Sequence, residues 1–147
     1  MDPKAQVVQL KTQLVSEGHT RFMLAETDLM TLRIHCYAPG IGENALHAHT
    51  KEDHIFVVLD GMAQFNTERD GQTVLTATKN HAVVLPAGSY YQFCNSGQTP
   101  LVMARIGAEP VPVHTIKRCD PGWFGIRNEL PNGPITCTVS PTLRSHR

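Results

Sequence analysis

Turn-forming residues interrupt this chain so often that no long regular element fits between them. Pro39-Gly40-Ile41-Gly42, Asp70-Gly71, Pro86-Ala87-Gly88 and Asn95-Ser96-Gly97 each bend the backbone rather than continue it. Between them lie short runs rich in β-branched and aromatic residues, the composition of strands. The spacing predicts strands at 21–27, 29–37, 54–60, 63–66, 73–77, 82–85, 90–95 and 101–106. A helical period is offered only by the first fifteen residues. The expected class is all-β, a closed barrel or sandwich. In the run at 54–60, Ile55, Val57 and Leu59 oppose Phe56 and Val58, so the strand is apolar on both faces and needs a second layer, either an opposite sheet or a partner subunit.

With 147 residues the chain suits one domain that buries a core without disulfides. Its expected organisation is an N-terminal segment at 1–20, a barrel at 21–108, and a tail at 109–147 packed on the barrel or on a dimer partner. The tail is Gly- and Pro-rich and carries Trp123 and Phe124. Thirteen Lys and Arg balance thirteen Asp and Glu, with no basic block to collect phosphates, so nucleic acid is not an expected partner. The apolar runs are of strand length and no signal-like stretch follows the start, which predicts a cytoplasmic protein without a membrane partner. Cys36, Cys94, Cys119 and Cys137 form no Cys-x-x-Cys pair and are read as idle thiols. The doubly apolar strands and the aromatic tail predict a homodimer, to be checked by light scattering at micromolar concentration.

Chemistry concentrates in His47-Ala48-His49-Thr50-Lys51-Glu52-Asp53-His54. His47 and His49 alternate on one face of a strand, and the turn at 50–53 can reset the phase so that His54 joins them. Three neutral imidazoles are then a divalent-metal ligand set. Glu52 and Asp53 offer a competing carboxylate ligand, but they precede the next strand and are read as solvent-facing turn residues. His35 faces inward as a pocket or supporting residue, or is an ordinary half-buried histidine. Arg33 shares its face and is read as solvated or salt-bridged, with a substrate carboxylate as the alternative partner. His19, His81, His114 and His146 are assigned surface or structural roles.

These residues resemble the cupin family, whose first motif runs Gly, five residues, His-x-His, three or four residues, Glu, six residues, Gly. His47 and His49 supply the pair, Gly61 the final glycine, and His54 stands where the family places glutamate. The second motif, Gly, five residues, Pro-x-Gly, two residues, His, three residues, Asn, is met by Pro86, Gly88 and Asn95, with Tyr91 at the histidine position. The resemblance implies a double-stranded β-helix, or jelly-roll, barrel. It implies a metal held by His47, His49 and His54, with Fe2+ favoured over Zn2+, Ni2+ or Mn2+. Tyr91 becomes an inward group that serves as ligand, hydrogen-bond donor, general base or packing, and Phe56, Val58 and Phe93 line a pocket that is apolar except at the metal end. A three-histidine set leaves the full divalent charge for anionic oxygen ligands and leaves positions open for substrate. The implied activity is oxygenation or C–C cleavage of a chelating oxo acid or diketone. The alternatives are Lewis-acid isomerase or lyase chemistry with another metal, and a non-catalytic ligand-binding or sensing barrel.

Overall fold

The computed structural model describes residues 4–109. Among them run nine strands: β1 His19–Glu26, β2 Met30–Tyr37, β3 Gly42–Ala48, β4 Asp53–Asp60, β5 Met62–Thr67, β6 Thr73–Thr78, β7 Ala82–Leu85, β8 Tyr90–Asn95 and β9 Leu101–Ala108. They form a five-stranded sheet, β1-β2-β9-β4-β7, and a four-stranded sheet, β3-β8-β5-β6, with every pairing antiparallel. Trp123, Phe124, Cys119, Cys137, His114 and His146 lie outside the described residues.

The alternation of β4 explains how the layers meet. His54, Phe56 and Val58 are buried, while Ile55, Val57 and Leu59 are half-buried. The first set enters a core with Tyr37, Phe65, Tyr91, Phe93 and Met103. Its aromatic centre is tight, with Phe56 5.5 Å from Phe65, 5.8 Å from Tyr91 and 5.3 Å from Phe93 between ring centroids. On the other side of the five-stranded sheet, Ile34, Cys36 and Val102 are covered by Val15, Leu24 and Leu59. The second layer demanded by the doubly apolar strand is thus the opposite sheet on one face; on the other, Leu59 joins Val15 and Leu24 over Ile34, Cys36 and Val102, while Ile55 and Val57 stay half-buried.

Two sequence expectations are corrected. Residues 4–15 carry no regular secondary structure: Val7 is 100% exposed, and Leu10 and Leu14 are at least half exposed, so nothing covers the apolar face that a short helix needs. Strand β3 was absent from the expected runs. Its sequence Gly-Glu-Asn-Ala-Leu-His-Ala lacks β-branched residues, and its pairing with β8 slips between Glu43 and His47. Pairing across the barrel, rather than local propensity, makes it a strand.

The turns follow their chemistry. Ser89 N donates to Pro86 O at 2.9 Å, closing the turn before β8 with Gly88 at φ +88°. Gly61, between β4 and β5, also sits at φ +88°, and a Cβ there would lie 2.8 Å from Pro100 O. Gly61→Ala is therefore expected to cost about 2 kcal/mol through left-handed strain and backbone collision; an unchanged urea midpoint would refute this.

Candidate metal centre

β3 presents His47 opposite Tyr91 on β8, and Glu43 opposite Phe93. Two residues beyond His47, His49 emerges from the strand end on the same side. The chain then crosses to the other sheet through residues 50–52 and returns at His54 on β4, 1% exposed. The rings of His49 and His54 approach to 4.3 Å. Glu52 joins them: one ligand atom each from His49, Glu52 and His54 falls within 4.8 Å of the others. His54 Nε2 is 2.9 Å from Glu52 Oε2. Two donors held about 2.1 Å from one ion at a right angle are about 3 Å apart, so the separation suits a shared divalent cation.

Glu52 thus departs from its expected solvent-facing role. Its turn brings it back over the mouth of the barrel, where Gly107, paired with His54 across β4 and β9, leaves the necessary space. A Cβ at 107 would lie 3.3 Å from Glu52 Oε2. Asp53 instead accepts the backbone N–H of Ala87 at 2.7 Å. His47 stands beside the group, its ring 5.1 Å from that of His49. Its Nδ1 donates to Ala45 O at 2.8 Å, and its Nε2 lies 3.4 Å from Glu43 Oε2.

The electrostatics favour ligand forms. Burial, then the neighbouring His47 and Arg105, lower the pKa of His49. Burial also lowers that of His54, although Glu52 opposes it. The His54 hydrogen bond holds Glu52 below the usual carboxylate range. The cluster therefore presents neutral imidazoles and a carboxylate, the forms that bind a cation.

Arg105 on β9 is the residue sequence reasoning missed. Its Nη2 lies 2.8 Å from His54 Nε2 and 4.0 Å from Glu52 Oε2. The signal was present in the alternation Leu101, Met103, Arg105, whose first two members are fully buried. No protonation of His54 satisfies both neighbours of Nε2. A proton there serves Glu52 and opposes the guanidinium, whereas a bare nitrogen accepts from Arg105 and faces the carboxylate oxygen.

Tyr91 is 2% exposed, with Oη 3.3 Å from His54 Nδ1. Burial first, then the Glu43 carboxylate, push its phenol well above the ordinary value, so it enters the site as a neutral hydrogen-bonding group. If His54 uses Nε2 as a ligand atom, Nδ1–H donates to Tyr91, which fixes the ring. Phe56, Val58 and Phe93 are all inward and no more than 2% exposed; packed together, they form the floor of the barrel.

The expected apolar wall above that floor is corrected. His35 is 2% exposed and faces inward, opposite Met103 on β9 and Arg21 on β1. Its Nδ1 is 3.0 Å from Tyr37 Oη, and Arg21 Nε donates to the same oxygen at 3.2 Å. Arg33 lies on this face, half-buried, and among the described residues it forms no ion pair. Gln92 and Cys94 face away as alternation requires, both half-buried. His81 serves a turn, its Nδ1 accepting from Thr78 N at 3.1 Å.

Neither a family model nor a curated protein matches the chain. Solved structures do. A protein with a double-stranded β-helix domain from Klebsiella pneumoniae matches with a TM-score of 0.62 at 17% identity, over 72% of this chain and 91% of that one. A cupin superfamily protein from Desulfitobacterium hafniense gives 0.58 at 14% identity, over 67% and 84%. The fold is that of a cupin. A predicted oxalate decarboxylase from Thermotoga maritima, at TM-score 0.57 and 16% identity over 63% and 81%, shares it. The two sheets are those of the cupin barrel, and the His49, Glu52 and His54 cluster sits inside it near one end. No helix among the described residues is long and apolar enough to cross a membrane.

Proposed function

We propose that this cupin barrel is a metal-dependent enzyme for a small chelating oxo compound. Its divalent ion is held by His49, Glu52 and His54, with His47 Nε2 as a further donor. The convergence of three ligand atoms within 4.8 Å carries this reading. Two histidines and one carboxylate on one face suit Fe2+ in an oxygenase, and the same set accepts Zn2+, Ni2+ or Mn2+ as a Lewis acid. Bound there, the ion would polarise a substrate oxygen and stabilise developing negative charge. The chain's residues do the rest: Tyr91 orients His54, the Ala45 carbonyl fixes the His47 tautomer, and Phe56 with Phe93 excludes water beneath the site. The Thermotoga maritima protein's description as a predicted oxalate decarboxylase supports a small oxo acid as substrate.

A second reading is favoured by Arg105. Its guanidinium 2.8 Å from His54 Nε2 stands where a cation would bind, as in a metal-free barrel that binds an anionic ligand without turnover.

Elemental analysis after chelation and reloading separates the two. His49→Ala and His54→Ala should remain folded and lose metal affinity by more than the roughly 10–100-fold typical of a group that only orients a ligand. His47→Ala should lose less, since the three remaining donors still converge. A reconstituted wild type without stoichiometric metal would establish the second reading instead.

A further inference from the structure

Strand register sets two cations against each other inside the barrel. Arg33 on β2 and Arg105 on β9 are direct cross-strand partners, on the face that also carries His35, Met103 and Phe56. Like charges placed directly opposite destabilise a sheet. Arg21, one row along, has Glu43 at 3.4 Å. Arg105 has only Glu52 at 4.0 Å, a carboxylate already engaged by His54 at 2.9 Å. Arg33 has no ion pair among the described residues, and its Nε is buried without a hydrogen-bond partner.

His35 adds a second orphan. Tyr37 Oη accepts from Arg21 and lies 3.0 Å from His35 Nδ1; we take the tautomer in which the phenol gives its proton to Nδ1, which uses every hydrogen-bonding group of Tyr37. That arrangement places the imidazole proton on Nε2, which is buried and has no partner among the described residues. Burial, together with Arg21, Arg105 and Arg33, depresses the His35 pKa to about 3, so this donor is neutral at physiological pH. Two buried N–H groups without acceptors each cost about 1–3 kcal/mol, and such groups are retained where something outside the chain completes them. Arg33 Nε–H, the Arg105 guanidinium and His35 Nε2–H are all donors, and two of the three groups are cationic. An oxyanion is the complementary ligand.

We propose that Arg33, Arg105 and His35 form a carboxylate-binding subsite beside the His49, Glu52 and His54 cluster, which makes the substrate class a short oxo acid rather than a neutral chelating ketone. The proposal rests on the metal reading for the position of the oxo group, while the carboxylate contacts belong to Arg33, Arg105 and His35 alone. Occupation of the subsite relieves the repulsion between Arg33 and Arg105 and draws Arg105 away from His54 Nε2.

Calorimetric titration with 2-oxobutanoate, butanoate and hydroxyacetone, on metal-free and Mn2+-loaded protein, tests it. Both acids should bind wild type, and Arg33→Gln should weaken both by about 10-fold or more at unchanged metal content. Hydroxyacetone binding should be indifferent to the substitution. Arg33→Lys, which keeps the charge and loses the planar fork, should fall between. Metal-free Arg33→Gln should also melt higher than wild type, because a half-buried cation facing Arg105 has gone; a lower melting temperature would make Arg33 structural and overturn the proposal. Metal uptake with acid binding that ignores Arg33 removes the subsite and keeps the metal centre. Arg33-dependent butanoate binding by a protein that takes up no metal removes the metal centre and keeps the subsite.

Discussion

Asn95→Ala is expected to destabilise the protein by about 3–5 kcal/mol, enough to lower Tm by roughly 15 °C or more. Asn95 is 1% exposed and its side chain makes three bonds to backbone. Nδ2 donates to Tyr37 O at 2.9 Å and to Thr99 O at 2.8 Å, while Oδ1 accepts from Gly97 N at 2.9 Å. Alanine leaves two carbonyls and one N–H without partners, at about 1–3 kcal/mol for each buried group. These bonds also join the two sheets, because Tyr37 ends β2 and Asn95 ends β8. Asn95→Asp keeps the acceptor for Gly97 but turns carboxylate oxygen toward two carbonyls, so it should be no better than alanine. Urea unfolding measures both variants, and a loss below about 1 kcal/mol for Asn95→Ala would refute the bridging role.

Asn95 shows why so much of the fold was legible. The second motif pairs a turn signal, Pro86 to Gly88, with a polar residue that locks the end of the following strand, and both are local in sequence. β4 was equally readable, since five consecutive apolar residues, Ile55 to Leu59, can satisfy two buried faces only in a layered sheet. β3 was not, because its bulged pairing with β8 depends on residues some fifty positions away. The metal cluster was half legible. His49 and His54 carry a recognisable spacing, but Glu52 enters through the path of a turn that no periodicity describes. The arginines were hidden for a different reason. Apolar alternation assigns polar residues to solvent, and Arg33 and Arg105 break that rule on the inner face of the barrel. Only the pairing of β2 with β9 reveals that they meet, and sites that violate local consistency are where binding chemistry concentrates.

Acid should unfold the metal-free protein unusually early, with His35 supplying the largest single share. Its pKa falls from 6.5 to about 3 on folding, through burial first and then the charges of Arg21, Arg105 and Arg33. As pH drops below 6.5 the unfolded chain takes up a proton that the native chain refuses. The stability is therefore complete above pH 6.5 and lost as pH falls toward 3. A shift of this size corresponds to about 5 kcal/mol at its limit, and to about 2–3 kcal/mol between pH 7.5 and 4.5. His49 and His54 are also depressed and add loss of the same sign, whereas Glu52, held below 4.5, acts mainly at lower pH. His35→Phe isolates the one contribution: it keeps a ring of similar size against Phe56 and Tyr37, and it removes the titration. Urea midpoints of both proteins at pH 7.5 and 4.5 should show the variant less stable at the higher pH, through the lost Tyr37 bond, yet less sensitive to acid by about 2–3 kcal/mol. Parallel losses would mean that His35 takes up its proton within the native fold. Beside three guanidiniums that charge is tolerated only if water or an anion reaches Nε2, the access that a carboxylate bound by Arg33, Arg105 and His35 also requires.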